Sequence, residues 1–429
     1  MRTRLFSFRW SLHFAVFSLF LGEGDIVSAQ EQSILAKAGN AFITEEEFLL
    51  RFELTPGFSQ RKKSQLEVDK FEFLYSLIAE KLLAQEAQDY RFDKDTAFQR
   101  SFAEVRKLIV RDELYRQEIS QKVTVAAKEI QQGIERCLNE RLVEFLFFSR
   151  KEDAMFVRSK IKNAKDIEKF QIDSSFEAMK DTATVIWGEA NEVIEEAAYR
   201  LKSSEVSPVL QDGPGFYILW LKKSKKNSHY ASLQPNILRD QVAGKIRLRK
   251  ERSRLNEFVP MALRNDTAFA RSHMVKKLSI EMANAMPGNA GRTFVFDLEL
   301  QREIGGVLRS SLKDTVLVAG EKVWPVGAIL DRLLSMKFEI VGGDTAKTFS
   351  HLSQQLRILA QQELLAREGL RRGLDKLYPV QKKLDIWYQA YLADLMKEYV
   401  KRTTDLSEAQ VWVSLNSRDP SLKMPRVRL

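Results

Sequence analysis

The 429-residue chain holds a single cysteine, Cys137. That excludes an internal disulfide framework and any cysteine-based zinc or iron–sulfur centre. Its four histidines, His13, His229, His273 and His351, are too scattered for a metal pair one helical turn apart. No GxxxxGK[ST] phosphate loop and no GxSxG nucleophile elbow occurs. The sequence therefore supports neither a metal nor a hydrolytic centre, and it implies no cofactor. Past the first thirty residues no apolar run is long enough to span a bilayer. With 44% hydrophobic and 29% charged residues the chain is an ordinary globular mixture. Its length favours two to four domains at roughly 150 residues each.

What is present begins with a leader. Arg2, Arg4 and Arg9 precede the mainly apolar run Trp10–Leu21, and Val27-Ser28-Ala29 follows. Small residues at the last and third-last positions fit signal-peptidase cleavage after Ala29. A membrane anchor is the weaker reading, because His13 interrupts a run already shorter than the roughly 20 residues a span requires. No cysteine follows the run, which excludes a lipid anchor there. The expected location is periplasmic or secreted, with no transmembrane segment in the mature chain. Removing residues 1–29 takes three basic and two acidic residues and leaves a net charge of +9. In an exported chain that favours acidic clients or an anionic envelope surface over nucleic acid. The densest basic stretch, Lys245–Arg254, reads as the solvated face of a helix.

The body is one unit written twice. Ile34–Ala38, the pair Gly39-Asn40 and Ala41–Ile43 predict a β-hairpin, and Thr44 with Glu47 opens a helix as a capping box. Phe71, Leu74, Ile78 and Leu82 continue at helical spacing. Val316–Ala319, Gly320-Glu321, Lys322–Trp324 and Pro325 repeat the plan. Gly39 and Gly320 are 281 apart; LLAQEA from Leu82 and LLAREG from Leu364 are 282 apart, as are Asp93-Lys94 and Asp375-Lys376. A shared offset is stronger evidence than any single identity. The first copy runs on into a mixed segment and the second stops soon after Val411. The expected domains are a signal peptide at 1–29, a helical module at 30–122, a mixed module at 123–225, a helical connector at 226–309, a second helical module at 310–403, and a lead-in to a further mixed module at 404–429. The expected fold class is α+β, mainly helical.

In the mixed segment Val143–Phe148 predicts a buried strand. Ser149 opens a helix with Ala154, Val157 and Ile161 on one face, and Phe176 with Met179 suggests a second short helix. A third helix covers Glu195–Leu201, Ser207–Val209 is a short strand, and Phe216–Leu221 closes the sheet after the turn Gln211–Gly215. Cys137 reads as a small packed hydrophobe. Trp187 and Trp220 read as core or rim packing, with a client groove as the alternative.

The strand Val143–Phe147, the tract Trp187-Gly188-Glu189 before Ile194–Leu201, Ser204–Val209 and Gly215–Leu219 together resemble the parvulin-type (PpiC, rotamase) prolyl isomerases. The flanking units resemble the helical chaperone parts of SurA- and PrsA-like envelope foldases. The resemblance implies an exported folding factor that binds unfolded or nascent exported proteins, outer-membrane proteins among them. It also places the family's two histidines at Glu144 and Tyr217, here the expected catalytic positions. Its proline-ring pocket falls on Ala190 and Ile194, which with Phe145 and Tyr199 make up the expected substrate-binding set. The loop bearing the family's acid or thiol is shortened around Asp181–Ile186. Both imidazoles and a large pocket side chain are replaced, so the resemblance implies isomerase chemistry that is weak or lost. The alternative function is an envelope assembly adaptor for one partner, without general chaperone or isomerase activity.

Overall fold

The computed structural model describes residues 33–53, 66–163, 166–167, 178–203, 205–213, 215–285 and 291–403. The leader at 1–29, Phe176 and the tail 404–429 lie outside them. In chain order the elements are β1 (Ile34–Ala38), β2 (Ala41–Thr44), α1 (Glu45–Glu53), α2 (Leu66–Asp89), α3 (Thr96–Glu118), α4 (Ala127–Cys137), β3 (Asn139–Phe148), α5 (Lys151–Lys160), β4 (Ala178–Val185), α6 (Glu192–Arg200), β5 (Leu210–Asp212) and β6 (Gly215–Lys226). There follow α7 (Ser228–Ala231), α8 (Pro235–Ala262), β7 (Ala268–Ala270), α9 (Ser272–Asn284), β8 (Thr293–Val295), α10 (Leu298–Val307), β9 (Thr315–Ala319), β10 (Lys322–Pro325), α11 (Val326–Ser335), β11 (Glu339–Val341), α12 (Thr345–Arg371) and α13 (Tyr378–Thr403). The class is α+β, helices with several small sheets. No helix among the described residues is long and apolar enough to cross a membrane.

The chain forms two compact units, 115–261 and a second built from both flanks. The stretch read as a connector, 226–309, is divided between them and contains two short strands besides its helices.

In the flanking unit the two hairpins share even their irregularity. β1–β2 skips a residue between Ile34 and Ala36, and β9–β10 slips between Trp324 and Pro325, opposite the equivalent place. Gly39 and Gly320 both take positive φ, at 61° and 57°, as a tight two-residue turn requires. The Gln85 amide donates to the Ala38 carbonyl (2.8 Å) and its oxygen accepts from Asn40 N–H (3.2 Å). Its counterpart Arg367 pairs with Glu321, the counterpart of Asn40, at 3.2 Å. Thr44 Oγ1 caps α1 by accepting from Glu47 N–H (3.2 Å). The Glu47 carboxylate does not complete a capping box; it pairs with buried Lys81 at 2.9 Å.

After α2 and after α12 the chain turns through a left-handed residue into a short 3-10 turn: Arg91 (φ 59°) before Phe92–Lys94, Gly373 (φ 73°) before Leu374–Lys376. An arginine there carries a Cβ penalty that glycine escapes. Arg91→Gly is therefore expected to gain about 1 kcal/mol in urea unfolding; a loss would contradict this account.

The copies interlock. α2 packs on α13, and α3 lies against α12. Lys81 on α2 donates to Gln389 on α13 (2.8 Å), while Lys107 on α3 donates to Glu363 on α12 (2.8 Å). Positions 81 and 363, and 107 and 389, are each 282 apart, so one pair of positions is used twice. Ala87 and Leu392, both fully buried, share a cluster, and their equivalents Gly369 and Val110 touch across the other crossing. Each copy thus lends its last long helix to the other, related by a pseudo-twofold axis.

In the 115–261 unit four antiparallel strands take the order β4-β3-β6-β5. Alternation sends Leu146, Phe148, Ile218 and Trp220 to one face, where they pack with Ala154, Val157 and Ile161 around α5. Val143, Val185 and Leu221 on the other face pack with Ala198 and Ile194 of α6. The short helix expected around Phe176 and Met179 is not formed at Met179, which lies in strand β4. The same strand takes up Asp181–Val185, read from sequence as part of a shortened loop. Cys137 is buried beside Trp187, Tyr230 and Val242, and burial pushes its thiol up to about 11.

Candidate functional site

The sheet decides which of the expected residues can act together. Tyr217 on β6 pairs with Phe147 on β3, with rings 5.2 Å apart, and lies 5.9 Å from the Phe145 ring. Glu144 pairs with Trp220 and points to the opposite face. There its carboxylate is held by Lys222 (2.8 Å) and Lys180 (3.6 Å), and the Lys180 ammonium lies over the Trp220 ring. The structure does not bring Glu144 and Tyr217 together. It brings Tyr217 to Phe145.

The Tyr217 face gains members that the sequence did not single out. Met179 pairs with Phe147 and is half exposed, and Asp181 pairs with Phe145. Phe145, Phe147, Tyr217 and Met179 form an apolar surface with one carboxylate, Asp181, and one phenol. No histidine lies on β3, β4, β5 or β6. Strict alternation along β3 is the signal that separates this face from that of Glu144.

Ala190 and Ile194 are half-buried and pack with Val143, Ala198 and Leu221. Tyr199 joins the same cluster but has a structural partner set. Its hydroxyl donates to the Asn139 carbonyl (2.5 Å) and accepts from Trp187 N–H (3.1 Å). Burial pushes that phenol up to about 12, so it is neutral in any ordinary solution. The loop before α6 is fixed by Glu195, whose fully buried carboxylate accepts from Gly188 N–H and from Arg249, each at 2.6 Å. Arg249 in turn lies over the Trp187 ring at 4.7 Å. Burial raises the Glu195 carboxyl above its ordinary range, with Arg249 and the Gly188 amide opposing it.

A groove of about 570 Å³ lies on the outer side of α6. Val193, Ala197, Leu201, Pro208 and Leu210 line it, with Lys162 at its edge. None of the six expected site residues does. Its wall at 206–207 is clamped by Arg158, which donates to the carbonyls of Ser207 (2.6 Å) and Val206 (3.3 Å). Ser207 Oγ accepts from Leu219 N–H (2.8 Å) and ties that wall to the sheet. Glu196, Arg200 and Glu205 add charge to an otherwise largely apolar lining. Among the described residues no cluster of His, Cys, Asp or Glu could hold a metal ion.

No family model matches the chain, and no curated protein matches it. Among solved structures it is similar to the foldase protein PrsA from Streptococcus pneumoniae, at 14% identity over 51% of this chain and 87% of that one, with a TM-score of 0.19. PrsA from Bacillus subtilis gives 14% identity, coverage of 53% and 92%, and a TM-score of 0.15. The peptidylprolyl isomerase PrsA from Bacillus cereus gives 12%, 53% and 93%, and 0.20. Function is argued below from the residues and their geometry.

Proposed function

We propose that this chain is an exported folding factor that holds unfolded exported proteins on apolar surfaces. Residues 123–225 would be its parvulin-like module, able to bind peptide but weak or inactive as an isomerase. Residues 30–122 and 310–403 would be its paired helical holding modules, and cleavage after Ala29 would release it beyond the inner membrane. The observation that carries the reading is the Tyr217 face, an aromatic surface without an imidazole and with Glu144 turned away from it.

Prolyl isomerisation breaks no bond; the enzyme must lower an amide-rotation barrier of about 18–20 kcal/mol. Only groups that favour the twisted amide over the planar one contribute. On this face the polar groups of the sheet include the Tyr217 hydroxyl, the Asp181 carboxylate and, on β5, the Asp212 carboxylate, which accepts from the Asn191 amide (2.8 Å), and a carboxylate cannot donate to a carbonyl oxygen. Each lost donor to a developing charge costs about 10²–10³-fold at comparable oxyanion sites. Binding of an extended segment relies on apolar area and sheet edges, which remain.

A protease-free prolyl-peptide assay on the full chain is expected to show turnover at least about 100-fold below a parvulin with paired histidines. Aggregation of several unrelated unfolded proteins should still be suppressed. Turnover within about tenfold of that parvulin, lost on Tyr217→Phe, would overturn the chemical half. Failure to protect any client, beside capture of one folded envelope partner, would favour the adaptor instead.

A further inference from the structure

The internal repeat shows what is missing from its first copy. In the second copy β9 carries β10 on one edge and β7 on the other, in register Ala268↔Ala319, Phe269↔Val318 and Ala270↔Leu317. The ladder is extended by Gly320 N–H to the Thr267 carbonyl and Arg271 N–H to the Val316 carbonyl, both 2.9 Å. The chain then turns into α9, which packs along α12. Met274, Val275, Leu278 and Met282 of α9 share a core with Val316 and Leu364.

The first copy has the same hairpin and the same long helix, but its sheet has two strands among the described residues. The equivalent side chains are correspondingly bare. Val316 is 0% exposed and its counterpart Leu35 41%; Leu364 is 5% exposed and Leu82 46%. Along α2, Phe71 (61%) and Tyr75 (69%) continue the strip through half-buried Ile78 to Leu82, at i, i+4, i+7 and i+11 on one face. That face ends at Gln85, which holds the hairpin turn. Among the described residues, an open strand edge and an exposed helix face meet there.

We propose that β1 and this face of α2 bind an unfolded polypeptide segment in the shape that β7 and α9 give the second copy. The segment would run as a short apolar strand antiparallel to β1, beside Leu35 and Lys37, and continue as an amphipathic helix over Leu82, Ile78, Tyr75 and Phe71. The strand edge supplies backbone hydrogen bonds that any sequence satisfies, and the strip selects apolar side chains without selecting their order. Such a site takes many clients and needs no second copy of the chain. The proposal rests on the folding-factor reading and gives it a substrate-binding surface.

The probe is a synthetic peptide with the sequence of residues 264–285, which already fills the counterpart. It is expected to bind the full chain, read by fluorescence anisotropy. Its Kd should rise at least tenfold in the double variant Tyr75→Lys, Leu82→Lys, and equally when the Phe269 amide of the peptide is N-methylated. Val323→Lys, at an exposed hairpin position of the second copy, should leave the Kd unchanged. With benzoylphenylalanine in place of Tyr75, light should join the chain to the added peptide. No binding, binding indifferent to the Tyr75/Leu82 variant, or a crosslink only to the chain's own residues would overturn the proposal. If clients are still protected from aggregation while the peptide does not bind, this site is wrong and the folding-factor reading stands. If the peptide binds as described and no client is protected, the reverse holds.

Discussion

Arg249→Ala is expected to destabilise the 115–261 unit by about 3–5 kcal/mol. Glu195 has no access to water, and Arg249 and the Gly188 amide are the groups that oppose its burial. Removing one partner of a buried pair leaves the other charge uncompensated. The pH dependence has a definite sign. Burial holds the Glu195 carboxyl above its ordinary range in the folded chain, so the folded state binds the proton more tightly than the unfolded one. Stability is greatest below the ordinary carboxyl value and falls as pH rises through the window up to the raised folded value. Without Arg249 that window widens upward, so the deficit against the parent should be larger at pH 8 than at pH 5 in urea unfolding. Adding Glu195→Gln should recover most of the loss, since a neutral amide can still accept from Gly188 N–H. A pH-independent loss below about 1 kcal/mol would show that the pair is effectively solvated.

Gly369→Leu is expected to cost the flanking unit about 3 kcal/mol. A Cβ at Gly369 would come 2.6 Å from Val110 Cγ1 and 3.2 Å from the Val110 carbonyl oxygen, and a backbone oxygen on a helix cannot rotate away. The equivalent crossing accommodates Ala87 against Leu392, so the two crossings differ in how closely their helices approach. Val110→Ala should rescue part of the Gly369→Ala loss and little of the Gly369→Leu loss. A double-mutant cycle with a coupling of at least about 0.5 kcal/mol would confirm contact. Additive effects would mean that the crossing relaxes, and the interlocked arrangement would then be looser than described.

Much of this was legible in the sequence because it depends on local chemistry. The glycine turns at Gly39 and Gly320 and the constant offset predict both hairpins, and the long apolar runs predict β3 and β6. Strand β4 was not legible. Ala178–Val185 is an edge strand with exposed residues on both faces, and its sequence AMKDTATV has neither an apolar run nor a clean alternation. The three-residue strands β7, β8 and β11 are too short to carry a period and are set by tertiary pairing. At the candidate site the limit was parity. A resemblance read one residue to either side moves a side chain through the sheet, and Glu144 and Phe145 differ by that step. Tyr199 showed the opposite problem: its residue type suits a binding surface, but its hydroxyl is committed to Asn139 and Trp187.

The exchange of last helices between the copies also sets a schedule for synthesis. α2 gains its partner α13 only when Tyr378–Thr403 has left the ribosome, some 290 residues after α2 itself. At about 5–20 residues per second that leaves the Lys81–Ala87 side of α2 without its native cover for roughly 15–60 s. The 115–261 unit is built from one contiguous stretch and can fold during that interval. The nascent chain therefore carries an uncovered apolar helix across most of its own translation. That helix must stay unaggregated on its own until the second copy is complete.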